Sequence, residues 1–362
     1  MKIGPIDLES PFVVAPMAGM TDTAFRRLVK RKGGCGLVVS EMVSSEGLVR
    51  GIDRTLEYAE YTEEERPVSI QVFGGDPAKM AEAARIVEGM GANVVDVNMG
   101  CPVPKISKHN AGCSLMREPS HAATIIREMS RAVRIPVTAK MRKGWDDSEA
   151  NAPELARRLE DAGAAAITIH GRTARQSYSG VADWDLVAEV AAVLTIPVFG
   201  SGDCVEPEDI VRRMRQGVGG VFVGRGVLRN PWILAQARDL LAGRPKREIT
   251  REDRGRFLLE YIQLLLNEGL DEADGFRHQA PMKRGGPAQE PATPGGPARG
   301  REKWVINKLR ALCAWYTKGY VGGAELRTRV NQAKTIPELK AIVEEAFLAP
   351  VPDTVPGQPA AV

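Results

Sequence analysis

Seven clusters of polar and small residues close apolar runs in the first two thirds of the chain. They are Pro16-Met17-Ala18-Gly19-Met20, Gln71, Asn98-Met99-Gly100-Cys101-Pro102, Lys140-Met141-Arg142, His170-Gly171-Arg172-Thr173, Gly200-Ser201-Gly202-Asp203 and Gly224-Arg225-Gly226. The last two are glycine-rich turns able to present backbone N–H groups to a phosphate, with Arg225 adding charge. Each alone reads equally well as a tight turn; side by side they favour a phosphate site. A single lysine such as Lys140 at a strand end ordinarily snorkels to water. With Gln71, Asn98 and His170 ending neighbouring strands, it becomes a candidate for facing a ligand. Cys101, between Gly100 and Pro102, is either an inert buried thiol or, in a loop beside a ligand, a working one. His109 follows eight residues later, so a Cys/His pair is conceivable, but nothing in the spacing fixes its geometry. His121 and His278 read as surface residues. No His/Cys/Asp cluster has metal-ligand spacing, so no metal is expected.

These clusters need elements that bring them together. Eight apolar runs precede or contain them: Phe12–Pro16, Leu37–Met42, Val68–Phe73, Val94–Asn98, Pro136–Lys140, Ala166–His170, Pro197–Gly200 and Gly220–Val223. Several are apolar on consecutive positions, as in parallel strands buried on both faces. Between them lie helical patterns, among them Ala78–Met90, Pro153–Ala162, Trp184–Leu194 and Pro207–Gln216, and Gly91, Gly163 and Gly217 sit as C-terminal stops. Eight such units over about 230 residues predict an α/β fold, a (β/α)8 TIM barrel, with its chemistry at the C-terminal strand ends. An open doubly wound sheet is the rival, weakened by the absence of a G-x-G-x-x-G turn.

The character changes near residue 245. The barrel is predicted over 1–245 and a small all-helical domain over 246–348, with helices at Glu252–Asn267, Lys303–Thr317, Ala324–Val330 and Ile336–Phe347. Residues 281–300 hold five Pro and five Gly and read as a flexible insertion, and 349–362, with four Pro, as a disordered tail. Arg301–Tyr320 interleaves five Lys and Arg with Trp304, Trp315, Tyr316 and Tyr320. That pattern suits RNA backbone and unstacked bases, although composition alone favours a helix with a basic solvated face and an aromatic core face.

Composition sets the remaining bounds. The 362 residues carry 49 Lys+Arg against 46 Asp+Glu, a net charge of +3, which argues against a chain that is basic throughout. Five widely spaced cysteines without a C-x-x-C pair suggest a reducing compartment. There is no signal-peptide run at Met1 and no apolar stretch of about 18 residues, so a cytoplasmic protein without a membrane span is expected.

The motifs Ala15–Asp22, Gln71–Gly74, Asp96–Pro102, Ala139–Trp145, His170–Thr173, Gly200–Asp203 and Gly224–Gly226 resemble those of the tRNA-dihydrouridine synthases, most closely the bacterial B-type branch. The Asn-x-Gly-Cys-Pro run is the most specific. The resemblance covers residues 5–245 strongly and the C-terminal helices more weakly. It implies an FMN-binding barrel and a helical RNA-binding domain, with NADPH as a transient electron donor and the C5–C6 double bond of tRNA uridines as the target. By motif, Cys101 is implied as the acid that protonates C5. Pro16, Met17 and Gln71 would line the flavin; Lys140 and His170 would hold the flavin and the reacting uracil. Asn98 and Arg172 would orient the nucleotide, and Gly200, Gly202, Gly224 and Arg225 would bind the FMN phosphate. A thiol of ordinary pKa, about 8.5, is protonated at neutral pH and so can serve as that acid. Two departures stand out: Cys113 where relatives usually carry serine, and Arg310-Ala311-Leu312 where relatives often carry Arg-Lys-His. The rival function is an FMN barrel acting on a small enone or dihydropyrimidine; a third reading is an RNA-binding protein with a degenerate barrel.

Overall fold

A computed structural model of the chain describes residues 1–107, 110–270, 272–279 and 298–350. The described residues form two compact units. The larger comprises Met1–Arg247 and the segment beginning at Gly269; the smaller comprises Glu248–Glu268 and the residues from 298 onward.

The larger unit is a closed parallel barrel. Its staves are β1 (Phe12–Val14), β2 (Leu37–Val39), β3 (Val68–Phe73), β4 (Val94–Met99), β5 (Val137–Arg142), β6 (Ala166–His170), β7 (Val198–Ser201) and β8 (Gly220–Val223). Each pairs in parallel with the next, and β8 returns to β1 through Val221↔Phe12, Phe222↔Val13 and Val223↔Val14. A two-residue strand, Val43–Ser44, adds to the edge of β3. The staves match the apolar runs of the sequence to within a few residues. Helices between them bury their apolar stripes on the sheet; Met80, Ala83, Ala84 and Val87 do so on Pro77–Gly89, which starts with Asp76 accepting from the N–H groups of Ala78 and Lys79.

Strand parity sorts the side chains. Val13, Ala15, Leu37, Val39, Ala166, Phe199 and Phe222 form the inner core with Ile3 and Leu8 from the chain start. An antiparallel hairpin, Lys2–Ile3 with Ile6–Asp7, closes that end, its Gly4 against Pro136 just before β5. Phe199 and Phe222 meet edge to face at 5.3 Å. The same parity sends Asp96, Asn98, Thr138, Lys140, Arg142, Thr168 and His170 inward at the other end.

The smaller unit consists of helices Arg251–Leu266, Ala298–Tyr316, Gly323–Gln332 and Ile336–Phe347. Phe257, Leu258, Tyr261, Ile262 and Leu265 supply its core with Val305, Leu309, Leu312, Val330, Leu339, Val343 and Phe347. Phe257 stacks on Tyr316 at 5.6 Å, and Tyr316 donates its hydroxyl to Arg254 O.

Two boundary expectations change. Residues 298–300, assigned to the flexible insertion, begin the Ala298–Tyr316 helix. Arg301 donates to Leu265 O at 2.9 Å and pairs with Glu268, which anchors this first turn. The rest of that insertion, 281–297, and tail residues 351–362 lie outside the described residues. Residues 269–279, expected among the C-terminal helices, belong to the larger unit. There Arg277–His278 pairs antiparallel with Tyr61–Thr62, and Phe276 O accepts from Glu63 N. His278, expected on the surface, stacks on Tyr61 at 4.6 Å; His121 meets Gly75 O at 2.7 Å.

Candidate active site

The register aligns the polar strand ends. Gln71 faces Asp96, Asp96 faces Thr138, Asn98 faces Lys140, Lys140 faces Thr168, and His170 faces both Arg142 and Ser201. Side chains far apart in sequence therefore share one mouth.

Cys101 is half-buried in the loop after β4, and its loop is held from several directions. Asn98 Oδ1 accepts from the N–H groups of Cys101 at 3.0 Å and Gly100 at 3.2 Å. Arg142 Nε donates to Gly100 O at 2.8 Å, and Cys113 N donates to Cys101 O at 3.1 Å. Cys113 itself is buried, and burial pushes its thiol up to about 11. The conceivable partner His109 lies outside the described residues.

Lys140 carries an unusual charge. Among the described residues its ammonium has no hydrogen-bond or ion-pair partner. Burial, reinforced by Arg142, pushes its pKa down to about 8, with Asp96 and Cys101 partly offsetting this. His170 is neutral: burial and the charges of Lys140, Arg142, Arg172 and Arg225 hold it far below its ordinary value. Its Nδ1 accepts from Arg172 N at 3.2 Å, which leaves the ring proton on Nε2. Arg225 stacks over Tyr178 at 4.8 Å and lies 3.7 Å from Asp203.

Three implied roles meet different geometry. Arg172, expected to orient a nucleotide, is buried, with Nε on Ser179 O, Nη2 on Gly180 O and Nη1 2.8 Å from Asp203. It fastens the loops after β6 and β7 to each other. Although burial alone would raise it, the Asp203 carboxyl is held low by bonds from Arg172 and Ala182 and by nearby Arg225. Gly200, expected at a phosphate, lies on the outer face of β7, where a Cβ would come within 2.1 Å of the Trp184 ring. Its smallness admits that buried indole. Gly202, at φ +124°, accepts from Trp184 Nε1 at 3.0 Å, and a Cβ there would press on Ala182 at 2.6 Å. Gly224 remains at the mouth, beside Met17, whose Sδ a Cβ would meet at 3.4 Å. Pro16 and Met17 are half-buried, and Met17 N donates to Thr21 Oγ1 at 3.0 Å.

Several residues at the mouth were not singled out from sequence as site residues. Asp96 and Thr138 bond each other at 2.6 Å, Arg142 spans Gly100, Thr173 and Ser177, and Glu41 accepts from Gly19 N in the loop after β1. The signal for the strand residues was period-two alternation: Asp96 precedes Asn98 by two, and Arg142 follows Lys140 by two. Among the described residues no group of three or more His, Cys, Asp or Glu is arranged to hold a metal, and no helix is long and apolar enough to cross a membrane.

In the helical unit, Arg301 lies 4.5 Å over Trp304, Lys308 5.6 Å over the same ring, and Lys318 3.9 Å over Trp315. Both tryptophans are half-buried, whereas Tyr316 is core. The expected aromatic core face thus divides, and two cation-capped indoles remain at the surface.

Residues 13–284 match the family model for dihydrouridine synthase. A "tRNA-dihydrouridine synthase B" of Xanthomonas campestris is 34% identical over 352 residues, covering 96% of each chain. A "Probable tRNA-dihydrouridine synthase" of Rhodobacter capsulatus is 42% identical over 271 residues, 74% of this chain and 83% of that one. A solved 2-naphthoyl-CoA reductase complex superposes with a TM-score of 0.52 at 15% identity, over 68% of this chain and 52% of that one, a likeness of fold only.

Proposed function

This chain belongs to the dihydrouridine synthase family, and on that premise we propose that it reduces the C5–C6 double bond of uridines in tRNA, with bound FMN and with NADPH as donor. The observation that carries the reading is a half-buried thiol, Cys101, on a firmly held loop beside the ammonium of Lys140, which has no partner among the described residues.

The residues present fit such a cofactor. A half-buried cation with no counter-ion among the described residues suits the electron-rich edge of a flavin ring, and Gln71 offers an amide at the same mouth. Lys140 and Gln71 would hold the ring system with Pro16 and Met17 against it, and Arg225 with Gly224 would take the phosphate. When bound, FMN supplies the hydride chemistry between NADPH and C6 of the base. Hydride addition at C6 leaves negative charge over C5 and the C4 carbonyl, and Cys101 Sγ–H gives its proton to C5. Neutral His170 offers Nε2–H as a hydrogen-bond donor without adding a charge. The uridine must leave its stack to reach this mouth. The cation-capped Trp304 and Trp315 suit unstacked bases and phosphates, supporting an RNA-binding role for the helical unit.

The test is anaerobic. The enzyme is reduced with NADPH, freed of excess, and mixed with unmodified tRNA while flavin absorbance is followed. Reoxidation by tRNA but not by free uridine is expected. Cys101→Ala should remain yellow and reducible yet reoxidise with tRNA at least about 100-fold more slowly. Undiminished reoxidation in that variant would remove Cys101 from the chemistry. A reduced wild type that tRNA leaves untouched would point to a small enone acceptor instead.

A further inference from the structure

Asp96 is a buried carboxylate that the reaction above does not use. Both its oxygens are occupied: Thr138 Oγ1 lies 2.6 Å from Oδ1, and Gln71 Nε2 donates to Oδ2 at 2.7 Å. Gln71 Oε1 accepts from Asn98 Nδ2 at 2.8 Å. Asn98 Oδ1 in turn accepts from the N–H groups of Gly100 and Cys101. An unbroken chain of hydrogen bonds therefore links the barrel interior to the thiol-bearing loop.

The chain has a direction. An amide can be turned round, exchanging donor for acceptor, at no cost in shape. Here neither amide has that freedom. The two backbone N–H groups are donors, so Asn98 must turn its oxygen to them and its NH2 to Gln71. Gln71 must then present its oxygen to Asn98 and its NH2 to residue 96, and residue 96 must accept. A carboxylate accepts at Oδ2 whether it is ionised or carries a proton on Oδ1, because the Thr138 hydroxyl can donate or accept.

We propose that Asp96 is a positioning residue, which acts through Gln71 and Asn98 to set the Cys101 loop and the approach of its thiol to the base. The inference rests on the reading of Cys101 as the proton donor. Arg142 and Cys113 support the same loop through the carbonyls of Gly100 and Cys101, so Asp96 governs its N–H side.

The test uses the full chain with Asp96→Asn, Thr138→Val, the double variant, and Asp96→Asn combined with Thr138→Ser. Thr138→Val leaves the Gln71 bond untouched. Asp96→Asn keeps an acceptor for Gln71 so long as its NH2 can donate to Thr138 Oγ1. Each single variant should keep kcat within about threefold. In the double variant the side chain at position 138 has no oxygen to accept, the new amide competes with Gln71, and the direction is lost. Its kcat should fall at least about tenfold beyond the product of the singles, with KM for tRNA unchanged. Asp96→Asn combined with Thr138→Ser restores the hydroxyl and should rescue it. A second readout needs neither flavin nor tRNA. The other four cysteines are buried, so iodoacetamide labelling followed by mass spectrometry reports Cys101. Its rate should rise at least about threefold in the double variant only. Should that variant not fold, Gln71→Met breaks the same chain and should raise labelling likewise. Multiplicative kcat values, or unchanged labelling in the folded double variant or in Gln71→Met, overturn the proposal. A wild type that reduces no tRNA would sink the functional reading instead, while labelling still decides the relay.

Discussion

Two clusters of cations in the larger unit are treated in opposite ways. Between the Thr23–Lys32 helix and residues 60–66, four arginines are each matched by a carboxylate. Arg26 meets Glu65 at 2.5 Å with both buried, Arg27 meets Glu64 at 2.9 Å, Arg31 shares Glu64, and Arg66 meets Glu63 at 2.8 Å. At the mouth, Arg172 and Arg225 share Asp203, Arg142 is held by carbonyl oxygens, and Lys140 has no such partner among the described residues. Burying a charge is costly unless it is paired. The first cluster meets that cost within the chain and holds the fold. The second leaves part of it unmet, as the lowered pKa of Lys140 reflects, and a ligand edge that accepts from the ammonium would relieve it.

The sharpest way to break this comparison is to unpair the first cluster. Glu65→Ala leaves Arg26 buried without a counter-ion and should lower stability by about 3–5 kcal/mol in urea unfolding. A loss under about 1 kcal/mol would mean that the pair is not structural. Lys140→Met should do the reverse: about tenfold or more weaker FMN binding by fluorescence titration, with the apoprotein as stable as wild type or more so. A destabilised apoprotein with unchanged FMN affinity would place Lys140 in the first class. Gly200→Ala forces a methyl into the Trp184 ring and should lower stability by about 1–3 kcal/mol. FMN affinity in its folded fraction should be retained; its loss would return Gly200 to the phosphate site.

The smallest effect is in pH. The folded pKa of Lys140, about 8, lies below its ordinary value of 10.5. Below pH 8 the ammonium is present, and a ring edge that accepts hydrogen bonds from it favours that form. FMN affinity should therefore be full below pH 8 and fall as pH rises through it, by at most about tenfold per unit. Lys140→Met should flatten this dependence above pH 8. A profile identical in wild type and variant would separate Lys140 from the flavin.

Much of this was legible before any coordinates. Eight apolar runs located the staves, and the Cys101 loop stood out by its residues. Arg172 shows where reading by motif ended. Its place in a strand-end loop was correct, but whether its guanidinium meets a ligand or the carbonyls of Ser179 and Gly180 depends on how a separate loop folds over it. Gly200 carries a constraint that was hidden for a related reason: a glycine that admits a ring looks in sequence like a glycine that admits a phosphate. The pairing of Arg277–His278 with Tyr61–Thr62 joins segments over 200 residues apart, and no local periodicity encodes it.

Local order settled the rest. Eight apolar runs with helical patterns between them predicted a parallel barrel, and period two grouped the strand residues that share a face, because adjacent side chains on a strand must face opposite ways. Register, burial and hydrogen-bond direction are pairwise properties between strands. Only the closed barrel decided that Asp96 lies beside Gln71 and that Lys140 has no ion-pair partner among the described residues, since both depend on neighbours that the chain supplies from elsewhere.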